Sequence, residues 1–150
     1  DTLAMNISDI NTMTYQAIWE YNKGKEIKSE EIRLALDLKQ QCLSQINLIF
    51  QNFDFLALPS SQIFPFDKNL QYPKNINNIE LDTYHRWLEV FILSSLLELP
   101  TITIPVGFNK DGMPMGMQII GRNKDDLKVF NFANMYEKAF NFSKNKPKLT

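Results

Sequence analysis

The side chains from which a hydrolytic centre is usually built are sparse in this chain and poorly matched. A Ser, His and Asp set would have to use His85, the single histidine in 150 residues. It lies inside a helical pattern beside Tyr84 and Trp87, where an imidazole suits a structural or surface role. No Gly-x-Ser-x-Gly elbow occurs. Cys42, the one cysteine, stands next to Leu43 near the apolar face of a predicted helix, and a thiol there behaves as a small hydrophobe. Glu30-Glu31 and Asp125-Asp126 each fall in the first turn of a predicted helix, where the backbone dipole accounts for them. Neither glycine-rich phosphate motif is present, and the Met113, Met115, Met117 row reads as core packing. One Cys and one His leave a metal site without ligands, so no metal and no cofactor is expected.

Composition narrows the function further. Sixteen basic against seventeen acidic residues give a net charge of -1, so no broad field attracts nucleic acid or anionic lipid. The basic run Lys144 to Lys148 sits at the chain end, and residues 144–150 are expected to fray. The apolar run "VFILSSLLEL" is interrupted by Ser94, Ser95 and Glu98 and is too short to span a bilayer. A lone cysteine leaves no internal disulfide, which makes the cytoplasm the expected setting. The length suits a single domain over residues 1–150. The chain starts at Asp1 without methionine or a signal-like segment, and that start is expected to be a cut.

The elements that must position any site follow from periodicity. A first helix is expected after Ser8, carrying Ile10, Met13, Ala17, Ile18 and Tyr21 until Asn22, Lys23 and Gly24 stop it. A second runs from an N-cap at Ser29 to Phe53, with Ile32, Ala35, Leu36, Leu43, Ile46, Ile49 and Phe50 on its apolar stripe. "DFLALPSS" reads as a strand covered on both faces, and residues 61–80 as a long ordered loop. A third helix spans Glu80 to Glu98 until Pro100 forces an exit. "TITIPV" and "MPMGMQII" then form a hairpin whose turn uses Asp111-Gly112, and Gly116 marks a place where something approaches the backbone closely. A last helix packs through Leu127, Phe130, Ala133, Met135 and Phe140. The sum is an α/β fold.

The stretch "LPTITIPVGFNKDGMPMGMQIIGR", residues 99–122, closely resembles the C-terminal signature of the amidase signature family of hydrolases. The matching positions are Leu99-Pro100-Thr101, Pro105-Val106-Gly107-Phe108, Gly112-Met113-Pro114 and Gly116-Met117-Gln118-Ile119-Ile120-Gly121. Upstream, "FQNFDFLALPSSQIFPF" is similar to the family's aromatic-x-x-Asp segment and the turn that follows it. The resemblance implies the C-terminal portion of that family's fold, with a mixed β-sheet and flanking helices. It implies hydrolysis of amide C–N bonds, or amide transfer in relatives that feed ammonia to tRNA-bound substrates. In that family a serine is activated through a second serine by a lysine, beside a glycine-rich serine loop that stabilises the oxyanion. Only Gly24 precedes Gly107 here, so that loop has no counterpart, and Ser44, Ser60-Ser61 and Ser94-Ser95 lack the motif of a nucleophile.

What the resemblance assigns is therefore a wall of the substrate cleft, without a catalytic residue. Ser60, Ser61 and Gln62 are expected to line the pocket for a small amide substrate, the loop Phe64–Asn78 to tune its choice, and Gln118 to hold backbone. The catalytic portion is expected in an N-terminal part missing from this chain. The alternative is a non-catalytic binding or pseudo-enzyme module that pairs with a partner, by homodimerisation for instance, through an apolar face.

Overall fold

The structure, a computed structural model, describes residues 12–145. The helix cap expected at Ser8, the apolar position Ile10 and most of the 144–150 tail lie outside the described residues. The chain forms two compact units, residues 1–40 and 41–150.

In the first unit, α1 (Tyr15–Glu26) begins at Thr14, whose extended backbone and side-chain oxygen, accepting from Ala17 N at 3.3 Å, make it the N-cap. The helix does not stop at Asn22 to Gly24. It runs through Gly24, with Lys23 and Lys25 in its last turn favouring the negative end of the dipole. α2 (Ser29–Ile49), whose residues from Gln41 onward belong to the second unit, has Ser29 inside its first turn instead of at the cap. Glu31 Oε2 accepts from Lys28 N at 2.8 Å, the carboxylate half of a capping box. Ile32 and Leu36, expected on a buried stripe, are 53% and 58% exposed.

The second unit is built on a three-stranded sheet in the order β1-β5-β4. β1 (Leu56–Pro59) and β4 (Thr101–Phe108) flank β5 (Pro114–Ile120), and both pairings are antiparallel, so the α/β expectation holds while no parallel pair occurs among the described residues. Side chains alternate across the sheet. On one face Ile104 and Ile119 pack with Ala133 of α5 (Asp126–Phe140), joined by half-buried Phe55, Ile102, Met117, Phe132 and Tyr136. On the other, Ile120 packs with Ile46, Phe50, Leu97 and Leu99. Each of these isoleucines contributes roughly 1.5–3 kcal/mol by leaving water.

The strand covered on both faces is thus β5, not β1: Gln118, Ile119 and Ile120 are all buried, whereas Ala57 and Pro59 of β1 are exposed. The central strand is screened by neighbours on both sides and helices above and below, while an outer strand keeps one side open. Of the stripe expected on α5, Ala133 is buried and the other positions are exposed. Val129 and Ala133 are buried, while Leu127, Phe130 and Met135 are 72%, 63% and 70% exposed.

Two further departures shape the site. Residues 61–80 are not all loop, because β2 (Asn75–Ile76) and β3 (Ile79–Glu80) form a small ribbon. Its turn residues Asn77 and Asn78 both have positive φ, 49° and 64°, the geometry of a two-residue hairpin turn that asparagine tolerates. The helix expected from Glu80 to Glu98 is two, α3 (Tyr84–Trp87) and α4 (Glu89–Leu96), separated by Leu88 at φ -90°, ψ 2°. No helix among the described residues is long and apolar enough to cross a membrane.

Candidate functional site

The site begins where β1 ends. Ser60 N donates to Gly116 O at 2.9 Å, carrying the β1–β5 ladder one residue past Pro59. This lays the Ser60 side chain on the face of Gly116: a Cβ built there would stand 2.5 Å from Ser60 Oγ and 3.0 Å from Thr103 Cγ2. Gly116 is therefore required by close approach, as its place in the strand suggested, and the approaching group is Ser60 itself. Ser61 is turned inward locally, its Oγ donating to Ile63 O at 2.6 Å, which bends the chain into the following aromatic segment.

Above Ser60 and Gly116 opens a cleft of about 240 Å³. Phe64, Pro65 and Phe66 form one wall, Pro114 and Met115 another, and Trp87 at the end of α3 closes the side. Phe66 and Trp87 meet edge to face, ring centroids 5.4 Å apart at 88°. Ser61 and Ile63 complete the lining, which holds no Lys, Arg, His, Asp or Glu.

Gln62, expected in this lining, stands outside it. Its Nε2 donates to Arg86 O at 2.7 Å and Trp87 O at 2.6 Å, two carbonyls at the end of α3. It positions Trp87 by holding the backbone that carries it. Gln118 does similar work underneath, almost fully buried. Its Nε2 donates to Pro59 O at 2.8 Å and Val90 O at 3.1 Å, and its Oε1 accepts from Ser94 Oγ at 3.5 Å. One amide thereby joins the end of β1, the start of α4 and the central strand. Gln118 holds neighbouring backbone as expected, and Ser60 and Ser61 fall together at the cleft. Sequence reasoning missed Trp87 and Met115, which it had placed in the packing of a helix and a strand. The signal for Trp87 was the aromatic cluster of Phe64, Phe66 and Trp87 around one long connection.

Chemically, this lining offers two serine hydroxyls among aromatic and apolar side chains. The serine hydroxyls face no lining residue able to take a proton, and nucleophilic activation needs such a base within hydrogen-bond reach. The hairpin opposite is held by Asn109, whose Oδ1 accepts from Asp111 N at 2.9 Å and Met113 N at 2.8 Å, while Gly112 adopts φ 76°. That clamp fixes where Pro114 and Met115 enter β5. Among the described residues no group of three or more His, Cys, Asp or Glu is gathered to hold a metal.

Among known proteins, the amidase family model matches residues 10–130. A glutamyl-tRNA(Gln) amidotransferase subunit of Protochlamydia amoebophila is 47% identical over 138 residues, 91% of this chain and 25% of that protein. Its counterpart from Ehrlichia canis is 31% identical over 147 residues, covering 87% of this chain and 28% of its own length. In the Shouchella clausii counterpart the likeness is 49% over 55 residues, 37% of this chain and 11% of the relative. Among solved structures, a bacterial aryl acylamidase of the amidase signature enzymes superposes with a TM-score of 0.75 at 25% identity, over 96% of this chain and 29% of that one. The glutamyl-tRNA(Gln) amidotransferase structure from Thermotoga maritima shares the fold at a TM-score of 0.62 and 22% identity, over 87% of this chain and 29% of its own. The chain thus spans between 11% and 28% of the length of these three curated relatives.

Proposed function

The chain belongs to the amidase signature family, and from that premise we propose that it is the C-terminal region of an enzyme that hydrolyses amide C–N bonds. It supplies sheet strands and one wall of the substrate cleft. The observation that carries this proposal is the seat of Ser60 on Gly116, beneath an uncharged aromatic cleft. Two segments far apart in sequence, each resembling the family's pattern, meet there.

In the whole enzyme these residues orient a small amide so that its carbonyl is presented to a nucleophile from elsewhere in the polypeptide. The serine pair, the lysine and the oxyanion loop belong to that other portion, in keeping with the single glycine, Gly24, before Gly107. The setting we propose is the cytoplasm, without metal, cofactor, nucleic acid or membrane. The test is direct: the purified 150 residues should turn over no simple amide, and activity should appear when an N-terminal amidase portion is joined or co-expressed. Serine-dependent turnover by the isolated chain would overturn it.

A second reading, a non-catalytic module that pairs with a partner or with its own copy, draws on the exposed apolar side chains Leu127, Phe130 and Met135 of α5. It requires a native reading frame with no glycine- and serine-rich segment upstream, and a dimer in light scattering that Leu127→Lys dissociates. A monomer with that segment in frame removes it.

A further inference from the structure

Resting on that proposed function, we infer that the group held against Ser60 is uncharged, flat and apolar, with an aromatic ring as its type member, and that Phe66 and Trp87 select it. Three observations converge. No side chain on this wall is charged, so a ligand carrying an ammonium or carboxylate against it would lose hydration without gaining a partner from these residues. A free amino-acid head, such as that of glutamine, is disfavoured for that reason. The Phe66–Trp87 pair is already edge to face at 5.4 Å, and a third ring can join the same arrangement with Met115 at its rim. The size also fits, since an apolar cavity of about 150 Å³ accepts benzene, and the 240 Å³ here leaves room for the adjoining amide.

The polar groups divide the remaining work. Ser61 Oγ is occupied by Ile63 O, and the Gln62 amide by the carbonyls of Arg86 and Trp87. The Ser60 hydroxyl stays at the cleft floor to meet the ligand's carbonyl, at the edge where the ring ends. Gln62 is then a positioning residue, since it fixes the last turn of α3 and with it the Trp87 ring. A site with one hydroxyl and an aromatic surround discriminates by what it fails to satisfy as much as by what it touches.

The experiment uses the full-length product carrying these residues and four amides: benzamide and acetanilide, which place the ring on either side of the bond, propionamide and glutamine. At least one aryl amide should exceed propionamide in kcat/KM by about tenfold or more, and glutamine by more still. Trp87→Ala and, separately, Phe66→Ala should each lower that preference by about tenfold, chiefly through KM, and Trp87→Phe should restore most of it. Near-UV circular dichroism establishes that each variant is folded. A preference for glutamine or propionamide overturns the aryl assignment and leaves the amidase proposal standing. Turnover of no amide defeats the amidase proposal, and the cleft is then judged by binding. Saturable quenching of tryptophan fluorescence by benzamide, absent in Trp87→Phe, upholds the ring site. No quenching up to about 10 mM, the weak limit of specific binding, overturns it.

Discussion

Replacing Gln118 by leucine, a side chain of similar volume, should cost more than any surface change in this protein. The amide is 1% exposed and donates to two main-chain carbonyls, Pro59 O and Val90 O. Removing the amide takes away its hydrogen bonds to these two part-buried carbonyls and to the Ser94 hydroxyl, at about 0.5–1.5 kcal/mol each. Leucine recovers about 1–2 kcal/mol by burying apolar surface in the same space. The expected net loss is about 1–3 kcal/mol, which lowers the melting temperature by roughly 3–10 °C for a chain of this size. Urea unfolding followed by far-UV circular dichroism should show the midpoint falling with an unchanged slope. Gln118→Glu should be worse still, since a carboxylate turns two acceptors against a third and adds a buried charge. A midpoint change worth less than about 0.5 kcal/mol in the leucine variant, the range of ordinary surface substitutions, would refute the clamp.

The other expectations are narrower. Gly116→Ala should destabilise by about 1–2 kcal/mol, because the new methyl meets Ser60 Oγ at 2.5 Å; Ser60→Gly in the same chain should recover most of that, and a double-mutant cycle with no coupling would be contrary. Gly121→Ala places its methyl 2.5 Å from Val129 Cγ2 and should loosen α5 by about 1–3 kcal/mol, seen as faster amide exchange in that helix. Lys124 sits at φ 67°, so Lys124→Gly should raise the thermal midpoint by about 1 kcal/mol equivalent. Arg86→Ala, which removes an exposed ion pair with Glu89 at 2.7 Å, should change stability by under about 1 kcal/mol in a salt titration.

Much of the fold was legible because its strongest signals are local. The hairpin of β4 and β5 announces itself by period-two alternation around Asp111-Gly112, and Ser60 beside Pro59 marks the end of β1. What was not legible depends on neighbours. Sheet order decides that β5 is screened on both sides, and nothing in "LALP" distinguishes an outer strand from a central one. α5 carries apolar residues on two faces, so periodicity alone could not say which is buried. The break at Leu88 has no proline or glycine to announce it, and the ribbon strands are two residues long, too short for any period. At the cleft, the resemblance pointed to Ser60 and Ser61, and both lie in its lining. That the Gln62 amide meets the carbonyls of residues 86 and 87 was not legible, because where α3 ends sets those partners.

The sheet order has a consequence for how the chain is made. β4 and β5 are joined by a five-residue connection and can zip as soon as both leave the ribosome, but β1 pairs with β5 across about sixty residues. At typical synthesis rates Leu56 and Leu58 wait roughly 3–12 s for their ladder to be delivered. During that interval a four-residue apolar segment is open to chaperones and to strands of other chains. Slowing translation after residue 60 should raise the insoluble fraction, and supplying residues 99–122 as a separate peptide should reduce it.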